Sequence, residues 1–312
     1  MMNSAVFALT RLSGGVKREA RRLQLIAETR PEMPTTPEHR RRAAPASHRW
    51  CGLLVAAGLI ASFSGAVIGT AHADPDALWT IVHDRCVPDQ QQYGDPAPCA
   101  WVNLGGGKQN GYAVVKDIAG TTQYLLIPTS RITGIESPAI LAPDATNYFA
   151  AAWRARYFVE ERAGRTLPRD WVSLAINSEI GRSQNQLHIH IDCIRADVHD
   201  ELTQHAAEIR ATWAPFPVPL ADHRYNAIAV SGDDVDAVNP FTLLADGIAG
   251  ARTDMGLETL VVVGAIGTDG RPGFIVLASH ADASAGDAAT GEELQDHTSC
   301  PPPPATSPLA PS

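Results

Sequence analysis

Two histidines alternate with apolar residues near the middle of this chain. The polar positions are Gln186, His188, His190 and Asp192, and the apolar positions between them are Leu187, Ile189, Ile191 and Cys193. A period of two predicts a half-buried β-strand, with roughly 7 Å between alternate side chains on each face. The two imidazoles and the carboxylate are therefore expected on the face left to solvent.

A loop rich in hydrogen-bond donors precedes this strand. Its residues are Gly181, Arg182, Ser183, Gln184 and Asn185. A neutral imidazole can attack phosphorus to give a phosphoramidate that water later hydrolyses, which divides one difficult cleavage into two steps. This chemistry needs a fixed imidazole tautomer and donors to the phosphate oxygens. The loop and the histidine strand together indicate chemistry on a phosphate.

Two other interpretations of the histidine pair stay open at this point. His188 and His190 could bind one zinc ion, with Asp192 or a distant histidine completing the ligand set. The chain has no second spacing such as HExxH to strengthen that interpretation. Alternatively, both histidines are ordinary polar residues on a solvated face. The donor-rich loop favours nucleotidyl transfer over both.

Charge is distributed unevenly along the 312 residues. Residues 1–73 carry ten Lys and Arg against four acids, which leaves 15 basic and 30 acidic residues beyond position 73. An acidic body repels polyanions, so we expect no nucleic-acid partner. Apolar residues make up 45% of the chain, which is ample for a core.

The N-terminal region has the three parts of an export signal. A basic stretch, 1–49, precedes an uncharged apolar segment, 50–73, that ends in the small-x-small sequence Ala71-His72-Ala73. The segment holds about 20 apolar residues, which is also enough to span a bilayer. We therefore expect a signal peptide or a single membrane anchor, with residues 74–300 forming a domain outside the cytoplasm. The tail 301–312 is Pro-rich and is expected to be disordered.

Cysteine usage agrees with export. Four cysteines lie beyond the leader, namely Cys86, Cys99, Cys193 and Cys300, an even number that suits an oxidising compartment. Cys86 and Cys99 bracket a short Pro- and Gln-rich loop, so we expect them to pair. That pairing leaves Cys193 for Cys300, as one of three possible connectivities.

Hydrophobic periodicity predicts an α+β fold built on antiparallel strands. The predicted helices cover residues 77–86, 147–162, 197–213 and 240–251. The predicted strands cover residues 111–117, 123–128, 171–177, 186–193, 225–230, 257–266 and 273–279.

Residues 112–195 resemble the histidine-triad (HIT) superfamily of nucleotide hydrolases and transferases. Three features carry this resemblance, and they occur in the family's order. They are the Leu-Leu-Ile-Pro sequence of the strand at 123–128, a strand ending in Asn177, and the Gln-Leu-His-Ile-His-Ile sequence at 186–191. The resemblance implies a HIT-like antiparallel sheet with flanking helices. It also implies that His188 is the nucleophile, that His190 and Ser183 contact the phosphate, and that Asn177 lies beside them. The chain departs from the motif at Gln186, where the family usually has its first histidine.

Several longer stretches are similar to the bacterial CDP-diacylglycerol pyrophosphatases, which are membrane-associated HIT-like hydrolases. These stretches cover residues 123–129, 131–138, 173–178, 181–185 and 295–297. The resemblance implies hydrolysis of CDP-diacylglycerol to CMP and phosphatidate without a cofactor or metal. Arg182, Gln184 and Gln186 join Asn177 as expected substrate-binding residues. The alternatives are a broader hydrolase of soluble CDP-alcohols and a non-enzymatic exported protein that binds metal or lipid.

Overall fold

A computed structural model describes residues 74–300, which belong to one compact unit. The predicted basic tail, the signal or anchor segment and the Pro-rich tail all lie outside the described residues. Among the helices of residues 74–300, none is both long and apolar enough to cross a bilayer.

A ten-stranded antiparallel sheet organises these residues, as the sequence predicted. Nine strands follow the order β1-β2-β3-β5-β4-β8-β9-β7-β6, and β10 pairs with the end of β5 beside this path. The strands are β1 (Trp101–Asn103), β2 (Tyr112–Lys116), β3 (Tyr124–Pro128), β4 (Val172–Ile176), β5 (Ile189–Ile194), β6 (Ala214–Pro215), β7 (Asn226–Ser231), β8 (Glu258–Ile266), β9 (Pro272–His280) and β10 (Gln295–Asp296).

Within residues 74–300, five α-helices accompany the sheet, and short 3₁₀ turns connect several of the strands. The helices are α1 (Ala77–Ile81), α2 (Val87–Tyr93), α3 (Tyr148–Ala163), α4 (Ala196–Gln204) and α5 (Pro240–Gly247), and a π-helical turn at Val82–Cys86 joins α1 to α2. The 3₁₀ turns are Pro138–Leu141, Arg169–Trp171, Met255–Leu257 and Gly291–Leu294. The N-terminal helical segment is thus longer than predicted.

Helix α3 begins and ends where its sequence signals predict. The Asn147 side chain accepts a hydrogen bond from the amide of Ala150 at 3.1 Å, which caps the first turn. Gly164 ends the helix in the left-handed conformation at φ 69°. The buried aromatic residues of α3, Tyr148, Phe149 and Trp153, share one core cluster with Ile189 and Ile191 of β5. The helix therefore supports the apolar face of the histidine strand.

Helix α4 is shorter than predicted and ends at Gln204. The chain beyond it runs beside β7 instead. Ala229 donates its amide hydrogen to the carbonyl of Arg210 at 2.7 Å, and Phe216 donates to Tyr225 at 2.8 Å. Pairing with a strand overrides the helical periodicity of residues 205–213 because tertiary contacts outweigh local propensity.

Both predicted disulfides are present, with Cα–Cα distances of 5.7 Å for Cys86–Cys99 and 5.4 Å for Cys193–Cys300. The prediction of a half-buried histidine strand is wrong, because all six residues of β5 are buried. The 3₁₀ turn Gly291–Leu294 and β10 close over the end of the strand and cover its polar face. The imidazoles therefore lie in an interior site with a low dielectric.

Candidate active site

His188 lies directly before β5 and is held in one tautomer by the backbone two residues earlier. Its Nδ1 lies 2.7 Å from the backbone carbonyl of Gln186, and a carbonyl can only accept, so Nδ1 carries the proton. Among the described residues, Nε2 accepts no hydrogen bond and keeps its lone pair free. The ring retains 7% of its surface exposed. This arrangement is the one that a nucleophilic imidazole requires.

Burial, and to a smaller extent the neighbouring His190, lower the pKa of His188 to about 4. The pKa falls because a charged imidazolium is poorly solvated inside the protein and is repelled by a second one. His188 is therefore neutral at physiological pH and is able to attack an electrophile.

His190 lies next to His188 and faces a carboxylate. The two ring centroids are 4.9 Å apart, with the planes inclined at 66°. Nδ1 of His190 lies 3.0 Å from Oε2 of Glu292 and 2.8 Å from the side-chain amide of Gln123. Within residues 74–300, its Nε2 is buried and has no hydrogen-bond partner. A buried polar atom without a partner is costly, so this nitrogen is a natural contact for a ligand oxygen.

Glu292 is the residue beside the histidine pair that the sequence analysis did not identify. Burial opposes its ionisation, but hydrogen bonds from His190 and Asn177 outweigh burial and lower its pKa to about 2. The Asn177 side chain donates to Oε1 of Glu292 at 3.0 Å and accepts from its backbone amide at 3.1 Å. Asn177 therefore holds the Gly291–Leu294 turn against the histidines. No motif surrounds Glu292, so no local signal identified it.

The polar face of β5 continues at Asp192, which is completely buried. Its carboxylate accepts a hydrogen bond from the Thr122 hydroxyl at 2.8 Å and lies 3.3 Å from Nδ1 of His297. The bond to Asp192 raises the pKa of His297. Gln295 donates its side-chain amide to the carbonyl of His190 at 3.3 Å. The C-terminal segment is thus bonded to the histidine strand at His190 and at Asp192.

In the loop before the strand, two residues that were predicted to bind substrate form hydrogen bonds with other parts of the protein instead. Gln184 accepts from the amide of Leu78 at 3.0 Å and donates to the carbonyl of Asp74 at 2.9 Å. Arg182 forms two hydrogen bonds with Glu136, at 2.5 and 2.8 Å. Ser183 is exposed.

Gln186 contributes to the site through its backbone. Its side-chain amide is buried and donates to the carbonyls of Pro128 and Ser130, at 3.1 and 3.0 Å. Of the residues predicted for the site, the structure therefore brings together His188, His190 and Asn177 as side chains and Gln186 as a carbonyl.

One cavity borders this cluster at Glu292, and a second lies against the loop before His188, where Arg182 is bonded to Glu136. The larger has a volume of about 610 Å³ and is lined by Ala119, Gln123, Arg195, Ala221, Asp222, Thr290, Glu292, Glu293, Gln295 and His297. The smaller has a volume of about 380 Å³ and is lined by Glu136, Pro138, Leu141, Ala142, Arg252, Thr253, Met255 and Gly256. We call the larger one the polar cleft and the smaller one the small cavity. The pKa of His188 responds to Glu292 of the polar cleft and to Arg182, which is bonded to Glu136 of the small cavity.

Metal-ligating side chains do not converge on the histidine pair in the part of the chain that the structure describes. The group of three with ligand atoms within 4.8 Å of one another is Asp192, Cys193 and Cys300, and its two sulfurs are joined in a disulfide. The Nδ1 atoms of His188 and His190 already face Gln186 and Glu292. Only the Nε2 atoms of the pair could face a ligand.

The fold and the site define an α+β protein with a neutral, tautomer-locked histidine beside a polar cleft. Comparison with known proteins agrees with the resemblance in the sequence. The family model described as CDP-diacylglycerol pyrophosphatase matches residues 73–301. A CDP-diacylglycerol pyrophosphatase of Yersinia pestis is 42% identical over 240 residues, which cover 77% of this chain and 90% of that protein. The chain belongs to the CDP-diacylglycerol pyrophosphatase family.

Proposed function

We propose that this protein hydrolyses CDP-diacylglycerol to CMP and phosphatidate through a nucleotidyl-histidine intermediate. The observation that carries the proposal is the geometry of His188, whose Nδ1 is bonded to the Gln186 carbonyl while Nε2 remains free. Membership of the family supplies the substrate. In this proposal the domain is HIT-like, and its histidine strand is the family's catalytic strand.

The reaction divides into two displacements at the cytidylyl phosphorus. Nε2 of His188 attacks this phosphorus, the bond to the bridging oxygen breaks, and phosphatidate leaves with that oxygen. Water then attacks the same phosphorus, the P–N bond breaks, and CMP is released with the proton returned to solvent. Each step needs positive charge or hydrogen-bond donors on the equatorial oxygens, because negative charge develops there.

His190 is the side chain best placed to donate to those oxygens. Its Nε2 has no partner in residues 74–300, and its Nδ1 faces the carboxylate of Glu292 at 3.0 Å. Glu292 orients the His190 ring through Nδ1, so that Nε2 faces the phosphate. Ser183 contacts the phosphate or the leaving oxygen. Asn177 acts by holding Glu292, and Arg182, Gln184 and Gln186 act as positioning residues for the loop.

The polar cleft suits the nucleoside. Eight of its ten lining residues are polar or charged, and three of them are the acids Asp222, Glu292 and Glu293. Carboxylates accept hydrogen bonds from ribose hydroxyls and from the exocyclic amino group of cytosine. Because the same carboxylates repel the negatively charged diphosphate of the substrate, the diphosphate extends out of this cleft.

Residues 50–73 complete the proposal by keeping the domain near its lipid substrate. As a retained anchor, this segment holds residues 74–300 at the outer face of the membrane. As a cleaved signal peptide, it sends the same domain out of the cytoplasm. Either outcome gives the compartment that the two disulfides require.

The test compares phosphatidate release from CDP-diacylglycerol by the purified protein and by a His188→Ala variant. We expect loss of turnover in the variant and an acid-labile, base-stable CMP adduct on the wild-type protein. His83→Ala is the control, since His83 is exposed and far along the chain from the strand. Full activity of a pure His188→Ala preparation would end the proposal. Stoichiometric zinc without any hydrolysis would favour the binding-protein alternative.

A further inference from the structure

The small cavity differs in chemistry from the polar cleft. Four of its eight lining residues are the apolar side chains Pro138, Leu141, Ala142 and Met255. Two 3₁₀ turns, Pro138–Leu141 and Met255–Leu257, form its opposite walls. An apolar lining with a few polar groups is what a small-molecule site needs.

This cavity is connected to the catalytic loop by hydrogen bonds. Glu136 in its wall binds both terminal nitrogens of Arg182, which lies in the loop before His188. The amide of Glu179, from the start of the same loop, donates to the carbonyl of Gly256 in the wall at 2.7 Å. The loop that leads into the nucleophile therefore lies against the small cavity, while the Gly291–Leu294 turn belongs to the polar cleft.

The two ends of the proposed substrate also differ in chemistry. One end is a hydrogen-bonding nucleoside and the other is a glycerol esterified with acyl chains. We propose that the small cavity binds the glycerol and the first acyl carbons of CDP-diacylglycerol, so that the diphosphate crosses His188 between the two cavities. This inference rests on the proposed function and adds the subsite that selects a lipid.

The size and the charge of the cavity agree with this occupant. A volume of about 380 Å³ is near the lower end of the range for ligand pockets, about 300–1,000 Å³, so it admits a glycerol and a few methylenes. The remaining acyl chain stays in the lipid phase. Arg252 in the wall is paired with Asp246, so the described lining of the cavity holds no unpaired charge of its own that would disfavour an acyl chain.

A pair of matched substitutions tests the assignment. Ala142→Trp fills the small cavity, and Ala119→Trp fills the polar cleft. Turnover is measured on CDP-dioleoylglycerol in detergent mixed micelles and on CDP-ethanol, which has the diphosphate but neither glycerol nor acyl chain. The inhibition constant of CMP reports occupancy of the nucleoside end in every variant.

We expect Ala142→Trp to lower kcat/KM for CDP-dioleoylglycerol by at least about 10-fold to 200-fold, the range for a single methylene in an apolar pocket. Its turnover of CDP-ethanol and its inhibition by CMP should match the wild type. Ala119→Trp should weaken both substrates and CMP together. Leu141→Gln, which changes polarity without filling the cavity, should raise KM for the lipid substrate alone.

The inference is overturned if Ala142→Trp and Leu141→Gln leave the lipid substrate unaffected, or if they weaken CMP as much as they weaken the lipid. Failure of the proposed function looks different. In that case the wild-type protein releases no CMP from CDP-dioleoylglycerol, or His188→Ala retains full turnover.

Discussion

Nδ1 of His190 lies 3.0 Å from Oε2 of Glu292, two residues that are distant in the sequence and that meet because the Gly291–Leu294 turn closes over β5. The carboxylate stays ionised, with a pKa of about 2, although burial opposes its charge. The carboxylate accepts a hydrogen bond from the imidazole. The contact therefore orients the histidine next to the nucleophile.

Glu292→Gln should lower kcat without changing the fold. The substitution keeps the side-chain shape but removes a charged hydrogen bond, which contributes about 1.5–3 kcal/mol, so we expect a loss of about 10-fold to 100-fold. Steady-state kinetics on CDP-diacylglycerol measure the effect. Glu293→Gln is the matched control, because Glu293 lines the same cleft but faces His223 at 3.3 Å. Equal losses in the two variants would contradict a role for the His190–Glu292 contact.

The pH profile should show that the nucleophile remains neutral in mild acid. His188 has a pKa of about 4, and only its unprotonated form can attack, so kcat/KM should fall as pH drops through about 4. An ordinary histidine would place this limb near 6.5. A profile of kcat/KM between pH 3 and 8 tests the prediction. An acid limb near 6.5 would mean that His188 is solvated and not buried.

Folding stability should depend on pH for the same reason. The unfolded chain binds a proton at His188 below about 6.5, whereas the folded chain binds it only below about 4. The contribution of His188 is complete above about 6.5 and is lost as pH falls through about 4, with a magnitude of about 3 kcal/mol. In urea unfolding at several pH values, His188→Gln should flatten this part of the profile. An unchanged slope between wild type and variant would argue against the prediction.

The two disulfides should differ in their contribution to stability. Cys193–Cys300 closes a separation of 107 residues and Cys86–Cys99 one of 13. Because a cross-link restricts the unfolded chain more when its loop is longer, we expect losses of about 4–5 and about 3 kcal/mol for the respective double alanine variants. Denaturant unfolding of both variants measures the difference. A larger loss for the Cys86–Cys99 variant would contradict the loop-length argument.

Removing only one partner of the Arg182–Glu136 ion pair should destabilise the folded protein. The exposed fractions of the two side chains are 6% and 23%, so removing one partner leaves the other charge largely buried. We expect Arg182→Met to destabilise the protein by about 3 kcal/mol, and Arg182→Met with Glu136→Leu to cost less than the sum of the single changes. The control is Arg154→Met, since Arg154 and Asp236 are each 54% exposed. That variant should lose less than about 1 kcal/mol. Additive losses in the double variant would show that the two charges do not interact.

Several features of the molecule follow from local sequence. The alternation at 186–193 predicted the histidine strand, the Asn147 cap and Gly164 bounded α3, and the even cysteine set led to both disulfide pairs. These features depend on periods of two or 3.6 residues, on capping chemistry and on composition, which adjacent residues determine by themselves. The family was also identified from the sequence, because the stretches that carry the resemblance, 123–129, 131–138, 173–178, 181–185 and 295–297, are each contiguous.

Tertiary structure alone decided how the histidine strand is surrounded. The sequence predicted a solvated polar face, but β10 and the Gly291–Leu294 turn bury it and bring Glu292 to His190. The commitment of Gln184 to α1 and of Arg182 to Glu136 likewise joins residues from separate elements. Such contacts form when distant segments pack to bury apolar surface, and no local periodicity records which segments will meet. The alternation of side chains along β5 follows from the sequence alone. Their burial, and with it the low pKa of His188, follows from the tertiary structure.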